Sequence, residues 1–421
     1  MRKWIAWGML LLCLLTMSAC QKENPTNTSP KFNAETDAQY QYLDAGGIPQ
    51  FAESADGYYY LTLQGFLRFI DKEIFQDTAV CAKPDCLHDA MDSSVVSELE
   101  TCNAYVRGSF LAPLFYYEGA LYTVVRESIL GENDYSRGYA LIKIALDGTS
   151  RETIWSIDWD EKQAEITQPV FTNCLMHRGN FYFVVEEQAG DLQPRQGYLF
   201  CYDMAKKKCN LLYTGYSLSN LVAVGDQLFF NGREIREKEA TMLRYTISTG
   251  EFLFFPEYET VTVVHDGLLF SPSKVSGNTA QIHTDLCGES PNEVVYPENL
   301  AGLHAVNQNL FCGNEGLSYF STEDGRKLTM EEYSDYVAAG DWGAFTFEFP
   351  TTCEFYDAQS LELLERVELP QGSLDVLCFM GNRVVAEIMT EQEHVLYFGE
   401  LSAVGSGNFQ WTPIPKVNCT Y

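Results

Sequence analysis

The chain has 421 residues, 58 acidic and 28 basic, for a formal net charge of −30. Phosphate recognition needs a basic footprint, so this balance excludes nucleic acid as a partner; spread along the chain, the charge serves solubility. Aromatic residues make up 14%, with 25 Tyr and 26 Phe, which favours strands over helical bundles.

Arg2 and Lys3 precede an apolar run from Trp4 to Leu15, followed by Thr16-Met17-Ser18-Ala19-Cys20. This is the layout of a secretory signal. A cysteine directly after the small pair resembles a bacterial lipobox, with Met17 where leucine is usual. The run is short for a membrane-crossing helix, which needs about 20 residues. The expectation is therefore a leader at 1–19, cleavage before Cys20, and an acyl lipid of the palmitate type on that cysteine. That would hold the protein on the extracytoplasmic face of the cell membrane. An ordinary signal peptide is the alternative. Gln21 to Ala38 reads QKENPTNTSPKFNAETDA, without apolar periodicity. It buries too little to offset its ordering entropy, so 20–38 is expected to be a flexible tether.

From Gln39 to Tyr421 one unit recurs: a turn, an aromatic strand, a polar loop, a second strand and often a closing Asp-Gly or Thr-Gly. Its opening turns are Asp56-Gly57, Glu118-Gly119, Arg178-Gly179, Gly225-Asp226, Asp266-Gly267, Gln308-Asn309, Trp342-Gly343 and Gly381-Asn382. Glycine or asparagine supplies the positive φ of a tight hairpin. Strands such as Asn180-Phe181-Tyr182-Phe183 and Gln227-Leu228-Phe229-Phe230 follow directly. The turns are spaced roughly 40 residues apart in the middle and C-terminal units, and roughly 60 in the first two. Such spacing with about four strands per unit predicts an all-β fold, a β-propeller. Eight blades are preferred. Seven is the alternative if the short unit from Leu303 to Met330 merges with the next, and two β-sandwiches are the competing architecture. The final strands, around Asn408 to Trp411, are expected to close the ring with residues near Gln39 to Leu43. Short helical turns are expected at Thr329 to Tyr336 and at Ser97 to Ala104.

Of 13 cysteines, Cys13 leaves with the leader and Cys20 takes the lipid, so eleven remain and cannot all pair within one chain. Cys201, Cys312, Cys353 and Cys378 lie in strand patterns and read as small buried hydrophobes. Between the first two units an insertion at 81–105 holds Cys81-Ala82-Lys83-Pro84-Asp85-Cys86-Leu87-His88, and later Cys102-Asn103-Ala104-Tyr105. Cys81, Cys86, His88 and Cys102 make the donor set of a tetrahedral zinc site, a structural staple for a loop without a core of its own. A disulfide between two of the three cysteines is the alternative. The segment C-x-K-P-D-C-x-H … C-N-A resembles that of uncharacterised β-propeller-like lipoproteins of Gram-positive gut anaerobes. The resemblance implies a location and a fold class, and brings no activity with it.

No H-E-x-x-H, G-x-S-x-G or phosphate-cradling glycine loop occurs. Ser321-Thr322-Glu323-Asp324-Gly325 reads as a hairpin turn. The leading functional expectation is therefore a non-catalytic, membrane-anchored binding, sensing or scaffold protein, monomeric, with a polysaccharide, peptide or protein ligand. The loops from Glu127 to Gly138 and Glu186 to Gly197, with Arg137, Gln193 and Arg195, are the candidate ligand face. The alternative is an extracellular carbohydrate-active hydrolase or lyase on the same fold, with paired carboxylates.

Overall fold

The structure, a computed structural model, describes residues 42–43, 49–62, 65–83, 86, 101–106, 113–127, 138–158, 169–187, 195–233, 241–256, 258–264, 267–272, 281–283, 291–292, 304–305, 310–313, 316–320, 327–330, 335–339, 342–346, 351–357, 360, 362–389 and 394–417. The signal segment, Cys20, the tether and His88 lie outside these residues.

The architecture is all-β and propeller-like, built of antiparallel sheets in chain order. The first holds β1 (Tyr42–Leu43), β2 (Pro49–Glu53), β3 (Gly57–Leu61), β4 (Leu67–Asp71) and β5 (Asp77–Ala79). The second holds β6 (Leu114–Tyr117), β7 (Ala120–Glu127), β8 (Gly138–Ala145) and β9 (Arg151–Asp158). The third has seven strands: β10 (Pro169–His177), β11 (Asn180–Glu187), β12 (Gln196–Asp203), β13 (Lys208–Val224), β14 (Gln227–Arg233), β15 (Thr241–Thr246) and β16 (Glu251–Phe255). β13, at 17 residues, is the fourth strand of one meander and the first of the next.

Four four-stranded sheets follow. They are β17 (Tyr258–Val264) to β20 (Pro291–Asn292), β21 (His304–Ala305) to β24 (Lys327–Met330), β25 (Asp335–Ala339) to β28 (Leu363–Glu368), and β29 (Ser373–Met380) to β32 (Thr412–Pro413).

Most opening turns of the repeat join the first and second strands of a meander, so these units begin one strand earlier than their turn. Asp56-Gly57 falls between β2 and β3 of the first sheet, and Trp342-Gly343 is not a turn but the start of the strand Trp342–Thr346. Glu118-Gly119 and Arg178-Gly179 have positive φ at both positions, as two-residue hairpins require. Where its side chains are described, as in β11, β14 and Arg383–Met389, the second strand of a meander is buried on both faces. Phe181 to Val185 in β11 are all at most 1% exposed, a continuous apolar run in place of alternation. Burying each such side chain contributes about 1.5–3 kcal/mol. Outer strands β16 and β28 are largely exposed.

Where side chains are described, consecutive sheets pack face to face. Tyr59 and Leu67 of the first meet Leu121 and Ile142 of the second. Phe115 and Leu141 of the second meet Phe181 and Phe183 of the third, where Trp155 lies 4.9 Å from the Phe183 ring. The two halves of the third meet through Tyr182, Leu199, Leu228 and Phe230. Phe355 of β27 (Thr352–Asp357) packs with Val384 of β30 (Arg383–Met389) and with Phe409. The last sheet meets the first through Met380, Val385 and Leu396 against Tyr58, Tyr60 and Phe75.

Two sequence expectations are corrected. Thr329 and Met330 end strand β24, and Asp335 and Tyr336 begin β25, so the described ends of that segment are strand, not helix. The unit from Leu303 to Met330 carries the four strands β21 to β24. The C-terminus does not pair with Tyr42–Leu43; β1 pairs with β2, while β33 (Lys416–Val417) adds in parallel to the outer edge of β5, Lys416 opposite Asp77. The aromatic side chains of Phe409 and Trp411 instead stay with the last two sheets. Ser97 to Glu100 fall outside the described residues, and Thr101 to Ala104 form turn and bend.

Candidate metal centre

The cysteine insertion leaves the first sheet at the end of β5. Val80 N–H donates to Leu67 O at 3.0 Å, and Cys81 N–H to Ala79 O at 3.0 Å. The chain returns at Thr101 to Val106 and is sewn back beside β4: Leu67 N–H donates to Ala104 O at 2.7 Å and Val106 N–H to Gly65 O at 2.7 Å. Phe66 and Tyr105 form a bridge, their rings 5.3 Å apart. The departing and returning ends therefore lie side by side, and Lys83 Nζ donates across to Thr101 O.

This geometry gathers Cys81, Cys86 and Cys102. Their sulphurs all lie within 4.8 Å of one another and stand as thiols. Tetrahedral zinc with bonds of about 2.3 Å would place sulphurs about 3.8 Å apart, a short contraction from this arrangement. Cys81 and Cys102 are buried in the core cluster between the first and second sheets, and Cys86 packs against it. For the Cys81 thiol, burial is outweighed by backbone N–H groups of Lys83 and Asn103 and by the Cys102 and Cys86 thiols, which together hold it below its usual range. Burial pushes Cys86 up, and pushes Cys102 up much further with the neighbouring Cys86 and Cys81 adding to it. N–H donors on a thiolate are the outer partners a metal–thiolate site uses.

The cluster is a plausible structural metal site, consistent with zinc. Soft thiolates suit that ion. The residues present can supply three donors; His88, the expected fourth, lies outside the described residues.

The second sheet takes part as well. Gly148, in the turn between β8 and β9, receives at its carbonyl Ala82 N–H at 3.3 Å and Asn103 Nδ2 at 2.7 Å. Arg151 donates to Tyr105 O. The sequence marks Asp147-Gly148 only as a closing turn of the repeat; nothing local to it signals a partner 45 residues upstream.

Of the other expected positions, Cys353 is fully buried, Cys201 is partly buried, and the side chains of Cys312 and Cys378 lie outside the described residues. Ser321 to Gly325 and most of both candidate ligand loops are outside them too. At the ends of the second loop, the Arg195 guanidinium stands 3.9 Å from the Glu186 carboxylate. Burial pushes the Glu186 carboxyl up, with Arg195 opposing.

No protein-family model matches the chain, and no curated protein matches it. Among solved structures, the chain is similar to the computationally designed Ika8 protein, with 11% identity and a TM-score of 0.47, over 84% of this chain and 95% of that one. It is also similar to BamB from Moraxella catarrhalis, with 12% identity and a TM-score of 0.44, over 82% and 92%. A third is the β-propeller domain of the Trilobed protease from Pyrococcus furiosus, with 13% identity and a TM-score of 0.37, over 73% and 84%.

Proposed function

We propose that this chain is an eight-bladed β-propeller, lipid-anchored through Cys20 on the extracytoplasmic face of a membrane, and that it works as a non-catalytic binding or scaffold protein. Eight meanders, seven of four strands and a first of five, support the blade count once β13 is shared between its two neighbours. Packing of the last sheet on the first, together with the β33–β5 pairing, supports a closed ring, which leaves fewer raw sheet edges.

One observation carries the non-catalytic reading. The thiol cluster, the richest gathering of reactive side chains among the described residues, is buried between two sheets, with Cys81 3% and Cys102 1% exposed. A metal there holds structure and meets no substrate. The test is a glycan and peptide array probed with the soluble body from Gln39 to Tyr421, followed by turnover assays on every hit. Binding without turnover is the expected result; turnover of a bound glycan would make the protein a carbohydrate-active enzyme instead.

A further inference from the structure

The middle of β13 is bent by design of its neighbours. Ser217 and Asn220 have φ of 52° and 51°, and the register with β14 shifts on both sides of Ser219. Non-glycine residues in that region are strained, and such strain gathers where a site is being built. The bend seats Leu218 on three glycines of adjacent strands: a Cβ at Gly197, Gly215 or Gly232 would lie 2.8, 3.3 or 2.7 Å from the Leu218 side chain. Three glycines in three strands serve one leucine, and the leucine fixes the residue before it.

That residue, Ser217, is held from both sides. Its N–H donates to Arg195 O at 2.8 Å, and its hydroxyl accepts from the outer guanidinium nitrogen of Arg233 at 3.3 Å. The hydroxyl is the hydrogen-bond partner of Arg233 among the described residues, and the Arg233 Nε is buried without one. No described carboxylate pairs with this arginine, whereas Arg68, Arg366 and Arg383 hold Asp77, Glu354 and Glu400. In a chain with 58 acidic residues against 28 basic ones, a guanidinium positioned by a strained serine and without an anion among the described residues suits an anionic ligand.

The space for it adjoins. Tyr213, Arg233, Thr241, Leu243, Phe254 and Pro256 line a cavity of about 230 Å³. That is small for a ligand site. Its walls are mostly apolar, with one cation and the hydroxyls of Tyr213 and Thr241, and Phe254 at 46% exposure leaves a large ring open to solvent.

We propose that this cavity binds a small monocarboxylate, its carboxylate on Arg233 and its apolar body against Tyr213, Leu243 and Phe254. The site is independent of the lipid anchor, the blade count and the thiol cluster. A charge-assisted pair specifies the carboxylate, and the apolar walls specify a short aliphatic or aromatic body.

Ligand-observed NMR on the full chain tests this with benzoate and hexanoate, and with benzamide as the neutral counterpart. Saturable binding of a carboxylate is expected, weakened about tenfold or more in Arg233→Gln, with benzamide about tenfold weaker than benzoate. Phe254→Ala, at a position 46% exposed, should weaken binding severalfold and serves if Arg233→Gln fails to fold. The proposal is overturned if neither carboxylate binds saturably, if benzamide binds as well as benzoate, or if the folded variants bind unchanged.

Discussion

Cys81 and Gly148 meet backbone to backbone: a Cβ on Gly148 would lie 2.5 Å from the Cys81 nitrogen and 2.6 Å from its Cα. Gly148 also has φ +68°. Gly148→Ala would therefore collide with the departing end of the insertion and strain its own turn. It should cost at least about 1–3 kcal/mol and weaken metal retention, because the turn that braces Cys81 moves. Thermal melting and a metal titration of the same variant check both effects.

If the thiol cluster holds zinc, the purified protein should contain about one metal per chain. Cys81→Ser and Cys102→Ser should each lower that content, and His88→Ala reports whether the imidazole completes the shell. Metal-free protein with a Cys81–Cys86 or Cys86–Cys102 bond would show the disulfide arrangement instead. Elemental analysis and thiol counting under reducing conditions separate these results.

Acid should release the metal. Cys86 and Cys102 both have thiols raised above the usual range, so in the metal-free protein they carry protons at neutral pH. Binding must displace those protons; affinity therefore rises with pH and falls as the solution is acidified. A competition titration with a zinc-sensitive dye between pH 6 and 8 measures the slope. On chelation, hydrogen exchange should quicken at Asp147 to Arg151 as well as in the insertion, since both share the Gly148 contacts.

Arg68 and Asp77 form a fully buried ion pair at 2.8 Å, with the Tyr60 hydroxyl donating to Asp77 at 2.8 Å. Asp77→Asn leaves a buried guanidinium uncompensated and should cost about 3–5 kcal/mol. The double change Arg68→Met with Asp77→Leu should recover much of that loss, because well-packed apolar side chains replace such pairs at little cost. Urea unfolding of the three proteins gives the comparison.

Cys20→Ala should move the protein from the membrane fraction to the soluble one without changing its melting curve, because only the anchor is removed. A lipidated Cys20→Ala species would refute the lipid assignment.

The repeat was legible because hairpin chemistry is local. Glu118-Gly119 and Arg178-Gly179 announce their turns, and the apolar run at Phe181 to Val185 announces a strand buried on both faces. The donor set at Cys81, Cys86 and Cys102 was legible from residue type and spacing. Three features were not. Thr329 to Tyr336 has helix-compatible residues, yet pairing across β23 (Gly316–Phe320) and β26 (Trp342–Thr346) makes its two ends strand. The role of Gly148 depends on a contact between sheets that no local pattern encodes. The bend in β13 depends on glycines in three strands meeting one leucine, a coincidence visible only after the register is known.

Every other strand pairing among the described residues joins consecutive strands, but β33 reaches back to β5 across more than three hundred residues. Local pairings form early because little loop entropy opposes them; a contact between distant residues waits. As the chain folds, each meander can assemble in turn, while the outer edge of the first sheet stays open until Ile414 and Lys416 arrive. The first sheet is thus the last to be completed. A variant truncated before Ile414 would keep its other sheets and leave that edge exposed, a substrate for proteases or for pairing with a neighbouring copy.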